Sequence, residues 1–473
     1  MLKVFWFRKD LRLYDNRSLF EFANSISPSD QFCFLYIKNK NSFNYFGEPR
    51  IRFLYECLEE LSEGLNNKGF KLQIIEGNSK EVFEKICKNS GSIDVYASEQ
   101  CEPYCRKRDD EIRDVIEKNN GRFHLFADST IFDLSEVLKD DGKPYTVYTP
   151  FRNKALKILN QKELKKYKIN FSKFESSNEF ILKKFRSLNY ASEKDKFKKS
   201  PEFSGGRREA IKKLNRFLKS GIKNYQPDRD FPAVNGTSKL SPYLHFGIIG
   251  IREVFRNINV NKNASKWLDE LLWREFYYNI GFHFPHIEKE SFKRQYDKLN
   301  WNKNEKDFQK WCNGRTGYPI VDAGMRQLNN EGWMHNRVRM ITAMFLTKDL
   351  MIDWRKGEKY FADKLIDMDF ANNNGGWQWS ASTGCDAQPY FRIFNPVSQS
   401  KKFDSDGKYI KKYIPELKNV DAKFIHAPWE MTKEEQAKCG LIIGKDYPKP
   451  VVEHLIAREI AIKEYKRVSK NLT

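Results

Sequence analysis

Leu2-Lys3-Val4-Phe5-Trp6-Phe7 is an apolar, β-rich run at the start of the chain, and similar runs follow at 32–37, 72–75, 93–96 and 123–126. Between them, residues 52–65, 81–87 and 108–116 carry helical spacing. Strands alternating with helices imply parallel pairing through crossovers, so a doubly wound α/β domain is expected over residues 1–130, with ligand space at the strands' carboxyl ends.

Beyond this domain the pattern changes. Residues 161–204 are rich in Lys, Ser, Asn and Phe without a clean period, which reads as a long connection over the surface, and the interdomain segment is placed at 131–204. Past Gly205-Gly206 the spacing is helical, at 208–218, 264–281, 320–329, 336–349 and 360–365. An all-helical domain is therefore expected over 205–473. No repeat at a solenoid period is visible.

At 473 residues the chain can bury a large core. Its formal charge of +21 favours a polyanionic partner, although a Lys- and Asn-rich composition can also be plain solvated surface. Aromatic residues make up 15% of the chain, too many for disorder and enough to supply stacking faces. The 8 cysteines are scattered, and Cys101 and Cys105 have no His at zinc spacing, so no metal site is expected. No apolar run reaches the length of a membrane span, and the first residues read as a strand rather than a signal peptide. These features together predict a soluble, cytoplasmic protein with reduced thiols.

The most unusual stretch is Asn372-Asn373-Asn374-Gly375-Gly376-Trp377-Gln378-Trp379, running on to Gln388-Pro389-Tyr390-Phe391-Arg392-Ile393-Phe394-Asn395-Pro396. It has no helical or strand periodicity. Amides supply paired donors and acceptors, glycines admit close approach, and indoles offer faces, which together suit a flat, polar-edged ring system. The alternative is a buried irregular turn packed on aromatics. Upstream, Asp367 and Asp369 lie two residues apart, placed to accept hydrogen bonds from a ring N–H or an arginine rather than to hold a metal.

Other segments add to this. Trp267, Glu270, Arg274 and Tyr277 recur at helical steps, as one wall of a half-buried cleft or as an amphipathic helix with a Glu270–Arg274 pair. Asn336, Arg339 and Met340 share a helix face while Arg337 points elsewhere, as two arginines meeting phosphates or as an ordinary basic helix with both solvated, and His335 reads as a packed or capping residue. Thr237-Ser238-Lys239-Leu240-Ser241-Pro242 precedes a helical run, as an anion site or simply an N-cap. Trp377, Trp354 and Trp301 could be core, or a chain of indoles conducting electrons.

Several of these segments resemble the photolyase/cryptochrome family: Trp6 through Asn16, Trp273-Arg274-Glu275-Phe276-Tyr277, Gly317 through Ala323, Trp333-Met334-His335-Asn336-Arg337, and Asn373 through Pro396. The likeness spans nearly the whole chain and is strongest in the helical part, and its nearest pattern is that of bacterial class I cyclobutane pyrimidine dimer photolyases. It implies an antenna-binding α/β domain, a helical FAD-binding catalytic domain, ultraviolet-damaged DNA as partner, and a monomer.

By the same resemblance, FAD is expected at Tyr225, Thr237, Ser238, Lys239, Leu240, Ser241, Trp267, Arg274, Asn336, Arg339, Asp367, Asp369 and Asn373. Asp369 and Arg339 would pair beside the flavin, with Asn373 facing its N5. Glu270, Trp273, Asn336, Met340 and Trp379 would line the dimer pocket. Arg229, Arg337, Arg392, Gln399 and Lys401 would touch the DNA backbone, and Trp377, Trp354 and Trp301 would form the electron relay.

One departure concerns the antenna. Tyr104 and Cys105 stand where folate-binding members carry an Asn-Glu pair, and Lys289 aligns only loosely with a helpful lysine. Methenyltetrahydrofolate is expected first, with a deazaflavin, a second flavin or no antenna at all as alternatives. A cryptochrome-type photoreceptor is the first rival, against which stand Asn373, the dimer-pocket pattern and the few residues after Tyr465. A six-four enzyme would carry a His pair where Asn336 and Met340 stand, and a non-catalytic basic DNA-binding protein would leave the flavin pattern unexplained.

Overall fold

The computed structural model describes residues 1–39, 43, 46–182, 185, 190–258 and 265–470. Ala264 of the expected helix 264–281, part of the expected connection, and the last three residues lie outside them. By compactness the chain divides into two units. The first comprises Met1–Lys223, Ser238–Pro285 and Ile366–Ala371, and the second Asn224–Thr237, His286–Leu365 and Asn372–Thr473.

The first unit contains the expected sheet. Its strands are β1 (Leu2–Phe7), β2 (Gln31–Lys38), β3 (Leu72–Glu76), β4 (Ile93–Ser98) and β5 (Arg122–Phe126), in the order β3-β2-β1-β4-β5. Every pairing is parallel. β1 is central, and all six of its residues are buried, as a strand covered on both faces requires. The order reverses between β1 and β4, the switch point of a doubly wound sheet.

Helices Glu48–Asn66, Ser79–Ser90 and Pro103–Lys118 lie where spacing places them. Two others escape the pattern. Arg17–Ser25 is short and starts at Asn16, whose side chain accepts from the Leu19 N–H. Tyr148–Gln161 lies in the segment read as connection; it buries only Tyr148, Phe151 and Ala155, too narrow a stripe to announce a helix.

This compact division groups the chain differently from the contiguous segments 1–130, 131–204 and 205–473, because helix Ser265–His283 is bonded to the segment that follows β5. Arg274 donates to the Ser129 carbonyl (2.7 Å), the Ile131 N–H donates to Glu275 (3.0 Å), and Asn279 donates to the Leu134 carbonyl (3.0 Å).

Charges buried at the carboxyl edge of the sheet tie further segments to it. Asp128, just past β5, accepts from Arg12, from Arg252 and from the Arg17 N–H. Arg12 also donates to the Gly247 and Asp15 carbonyls, each at 2.9 Å. Burial alone would raise the Asp128 carboxyl, but Arg12 and Arg252 beside it prevail and hold it at about 2. Asp10, close to Asp128, is pushed up to about 6, mainly by burial and then by that neighbouring carboxylate.

The second unit is helical, with Glu305–Cys312, Pro319–Glu331, Asn336–Met344, Trp354–Lys364, Pro396–Phe403 and His454–Lys470 among its helices. The expected helix 336–349 ends in a π-helical turn over Phe345–Asp349, and the expected 360–365 is the last part of Trp354–Lys364.

Asp128→Asn leaves Arg12 and Arg252 facing a neutral group in a buried site. Its expected cost is about 3–5 kcal/mol, read as a lower urea midpoint. The Asp128 contribution is fully present above the ordinary carboxylate value of about 4 and is lost as pH falls toward 2.

Candidate functional site

The stretch read as irregular is helical: Phe370–Ser380 is a regular α-helix. Its periodicity is hidden because two of its buried positions, Asn374 and Gln378, are amides and a third is Ser380. Asn374 and Gln378, both nearly inaccessible, bond to each other (3.0 Å), and Asn374 donates to the Ile287 carbonyl (2.9 Å) and to Glu358 Oε1 (3.1 Å). Gln378 Oε1 accepts from the Phe292 N–H at 2.8 Å. Fully partnered amides can occupy a helix interface as apolar groups do, but hydropathy does not register them.

Asn373 lies one position away and is half-buried. Its Nδ2 donates to the Glu358 backbone carbonyl at 3.1 Å. A carbonyl only accepts, so this bond fixes the amide's orientation and turns Oδ1 to the other side. Burial pushes the Glu358 carboxyl up to about 7, even though the bond from Asn374 lowers it.

Trp377 is buried and meets Phe361 edge-on at 4.9 Å and Trp311 at 6.0 Å. Trp354 is fully buried, with the Arg355 guanidinium 4.7 Å from its ring centre. Trp301 is half-buried against Tyr296, Leu299, Met351 and Tyr465. Among the described residues the indole in ring contact with Trp377 is thus Trp311, which no sequence motif singles out. Trp379, on the same helix as Trp377, is half-buried.

Helix Asn336–Met344 is capped by His335, whose Nδ1 accepts from the Arg337 N–H at 3.2 Å, as expected of a capping residue. Asn336 is exposed with its Nδ2 3.9 Å from Met340 Sδ, so the two do share a face. Arg339 donates to the Met334 carbonyl at 2.8 Å. Arg337 points elsewhere, to Asp230 at 2.8 Å and over the Phe403 ring. Tyr225 is buried under the Arg229 guanidinium, while Arg392 and Lys401 are exposed and Thr237 and Gln399 are half-buried.

In the first unit, Glu270, Trp273, Arg274 and Tyr277 are half-buried along Ser265–His283, and Trp267 is buried edge-on to Phe217. Arg274 donates to Tyr278 Oη at 3.0 Å, and the Tyr278 hydroxyl in turn donates to Asp369. Tyr278 thus links two expected ligands, and its i+4 spacing from Arg274 is the signal that could have found it. Asp367 and Asp369 are both buried. Among the described residues no cluster of acidic, His or Cys side chains could hold a metal. Trp273 lies flat on Tyr148, ring centres 3.7 Å apart and planes 8° from parallel. The Tyr148 hydroxyl donates to the Asp269 carbonyl at 2.6 Å.

Ser238 and Lys239 are half-buried, Leu240 is buried and Ser241 is exposed. The helix Ser241–His245 has no side-chain cap, so the plain N-cap alternative does not hold. Lys239 adopts φ +52 and reaches Glu202 at 3.0 Å. Beyond β2, Tyr104 Oη accepts from Asn39 Nδ2 at 3.0 Å beside a cavity of about 230 Å³ lined also by Lys80, Lys107 and Arg108. Cys105 is buried, which pushes its thiol up to about 11. In the second unit Lys289 is exposed, and its carbonyl accepts from Arg355 at 2.8 Å.

Two family profiles match the chain, DNA photolyase over residues 3–168 and the FAD binding domain of DNA photolyase over residues 267–467. The chain belongs to the DNA photolyase family. It is 39% identical to a deoxyribodipyrimidine photo-lyase of Alkalihalophilus pseudofirmus over 98% of each chain. A bacterial class III photolyase from Agrobacterium tumefaciens superposes with a TM-score of 0.87 at 34% identity, covering 99% of this chain and 98% of the other. An archaeal photolyase from Sulfolobus tokodaii, solved with two FAD molecules, gives a TM-score of 0.84 at 34% identity, covering 99% and 100%.

A Cβ at Gly357 would lie 2.1 Å from Trp377 Cη2. Gly357→Ala should therefore displace the indole, cost about 1–3 kcal/mol by overpacking, and shift the tryptophan emission. Unchanged emission would mean that Trp377 does not depend on this gap.

Proposed function

We propose that this photolyase-family chain repairs cyclobutane pyrimidine dimers in ultraviolet-damaged DNA, acting as a cytoplasmic, monomeric deoxyribodipyrimidine photo-lyase. The observation that carries the proposal is Asn373, an amide with its NH₂ committed to the Glu358 carbonyl. Its Oδ1 is then the group that accepts from an N–H donor, as the N5–H of a reduced flavin is. Asn373 also stands where several plant cryptochromes carry an acid, which favours repair over signalling.

The donor set suits FAD. Asn373 accepts at the ring, buried Asp367 and Asp369 accept, and Arg274, positioned through Tyr278, supplies positive charge. Tyr225, Thr237, Ser238, Lys239, Leu240, Ser241, Trp267, Asn336 and Arg339 complete the proposed set. When bound and reduced, FAD supplies on excitation the electron that opens the dimer's cyclobutane ring, and the protein orients the reactants and excludes water.

Trp273 and Trp379 offer ring faces to the extruded pyrimidines. The Tyr148 stack holds the Trp273 plane and covers one face, so the dimer meets the other. In this reading half-buried Glu270 hydrogen-bonds the pyrimidine edges, Asn336 adds a donor, and Met340 adds adaptable apolar surface. Arg229, Arg392, Gln399 and Lys401 hold phosphates, with Arg337 exchanging part of its Asp230 contact for one. Trp377, Trp354 and Trp301 would carry electrons from a reductant in solution toward an oxidised flavin. An antenna, whether methenyltetrahydrofolate, a deazaflavin or a second flavin, would add its own near-ultraviolet or blue band. The basic cavity beside Tyr104 suits the anionic members of that set.

Flavin bands in the purified protein are expected. Glu270→Ala should weaken dimer binding by about tenfold while retaining flavin, as loss of one hydrogen bond at a polar edge does. Loss of the flavin would instead place Glu270 in the cofactor site. Trp377→Phe should slow photoreduction of the oxidised flavin yet leave repair by pre-reduced protein intact; an equal loss of both would remove the relay.

A further inference from the structure

Within the second unit, residues 229–236 form a compact turn whose exposed tip carries no function in the reading above. Its base is fixed. The Arg229 N–H donates to the Tyr225 carbonyl (2.9 Å), Phe231 N–H to Asp228 (3.1 Å) and Val234 N–H to Phe231 (3.0 Å). A Cβ at Gly236 would lie 2.5 Å from Asp228 Cβ, so the returning chain packs directly on the outgoing one. Arg337 holds Asp230 at 2.8 Å, and the Phe231 ring meets Phe403 edge-on at 6.3 Å. A turn so held cannot fold its side chains away, yet Phe231 is 40% and Val234 43% exposed.

The surroundings of this apolar tip are cationic. The Phe403 ring that supports Phe231 has the Arg337 guanidinium 4.4 Å and the Lys402 ammonium 5.2 Å from its centre. Arg229 lies at the foot of the turn, 3.8 Å from Asp230, so that carboxylate is neutralised from two sides. Lys401 neighbours Lys402 on the exposed side of helix Pro396–Phe403. An apolar ring on a rigid support, rimmed by cations, is complementary to a polyanion that exposes stacking faces between its charges. Duplex DNA opened at a lesion is such a partner, and apolar side chains are wedged between base steps in this way.

We propose that the turn 229–236 is a wedge against duplex DNA, in which Phe231, backed by Val234, packs on the bases exposed when the dimer leaves the stack while the surrounding cations hold the flanking phosphates. This rests on the dimer-repair reading. The wedge stabilises the extruded state and so raises the preference for damaged over undamaged duplex; it adds nothing to the count of phosphates neutralised.

The test compares wild type, Phe231→Ala, Phe231→Leu and Val234→Ser as flavin-loaded proteins. They are titrated with a dimer-containing duplex and its undamaged counterpart, with 2-aminopurine opposite the lesion. Phe231→Ala should lower the damaged-to-undamaged affinity ratio by about tenfold, the effect of removing one half-exposed aromatic contact. Its salt slope should stay as in wild type, and its gain in 2-aminopurine emission should be smaller. Phe231→Leu should recover part of the ratio, and Val234→Ser should lose part of it. An unchanged ratio and emission in both Phe231→Ala and Val234→Ser, with wild type preferring the dimer, overturns the wedge alone. A shallower salt slope in Phe231→Ala overturns it as well, since the turn would then act through phosphates. A wild type with no preference for the dimer overturns the reading on which the wedge rests.

Discussion

Asp128 is the point on which the first unit depends. A fully buried carboxylate is tolerable only when its charge is answered, and here Arg12 and Arg252 answer it from the loop after β1 and from helix Ile251–Ile258. Arg12 also bonds the Gly247 and Asp15 carbonyls, so one guanidinium ties two stretches of backbone to the Asp128 carboxylate. Among the segments so anchored is Ser129–Leu134, whose carbonyls accept from Arg274 and Asn279 and whose Ile131 N–H donates to Glu275. The helix that carries Glu270 and Trp273 is thus placed against a fixed frame, as groups that position a reactant require.

In the second unit buried amides play the comparable part. Asn374 and Gln378 fill an interface where apolar side chains are usual, and each bond they make has a direction that apolar packing lacks. Asn373 inherits that order, since the Glu358 carbonyl sets its orientation. Trp377 is held on the same helix by rings and by the gap at Gly357.

The sheet was legible because its strands are short and nearly all apolar, and the five runs lie within two residues of the observed strands. Helix Phe370–Ser380 was not, because periodicity counts hydropathy and its buried side includes Asn374, Gln378 and Ser380 beside Ala371 and Trp377. Tyr148–Gln161 was missed because it buries only three side chains. The residues named for the site are spread over buried, half-buried and exposed positions on helices and loops, and spacing did indicate one half-buried helix face for Glu270, Arg274 and Tyr277. Tertiary partners carry no local signal: nothing near Trp273 in sequence announces Tyr148, and nothing near Trp377 announces Trp311 or Glu358.

The most direct measurement is illumination of the purified, chemically reduced protein with an oligonucleotide containing one cyclobutane dimer, the dimer being assayed after blue-light and dark incubation. The account requires its loss in the light and its persistence in the dark, with no change in a six-four lesion treated alike. Flavin present without light-dependent loss of the dimer would contradict it.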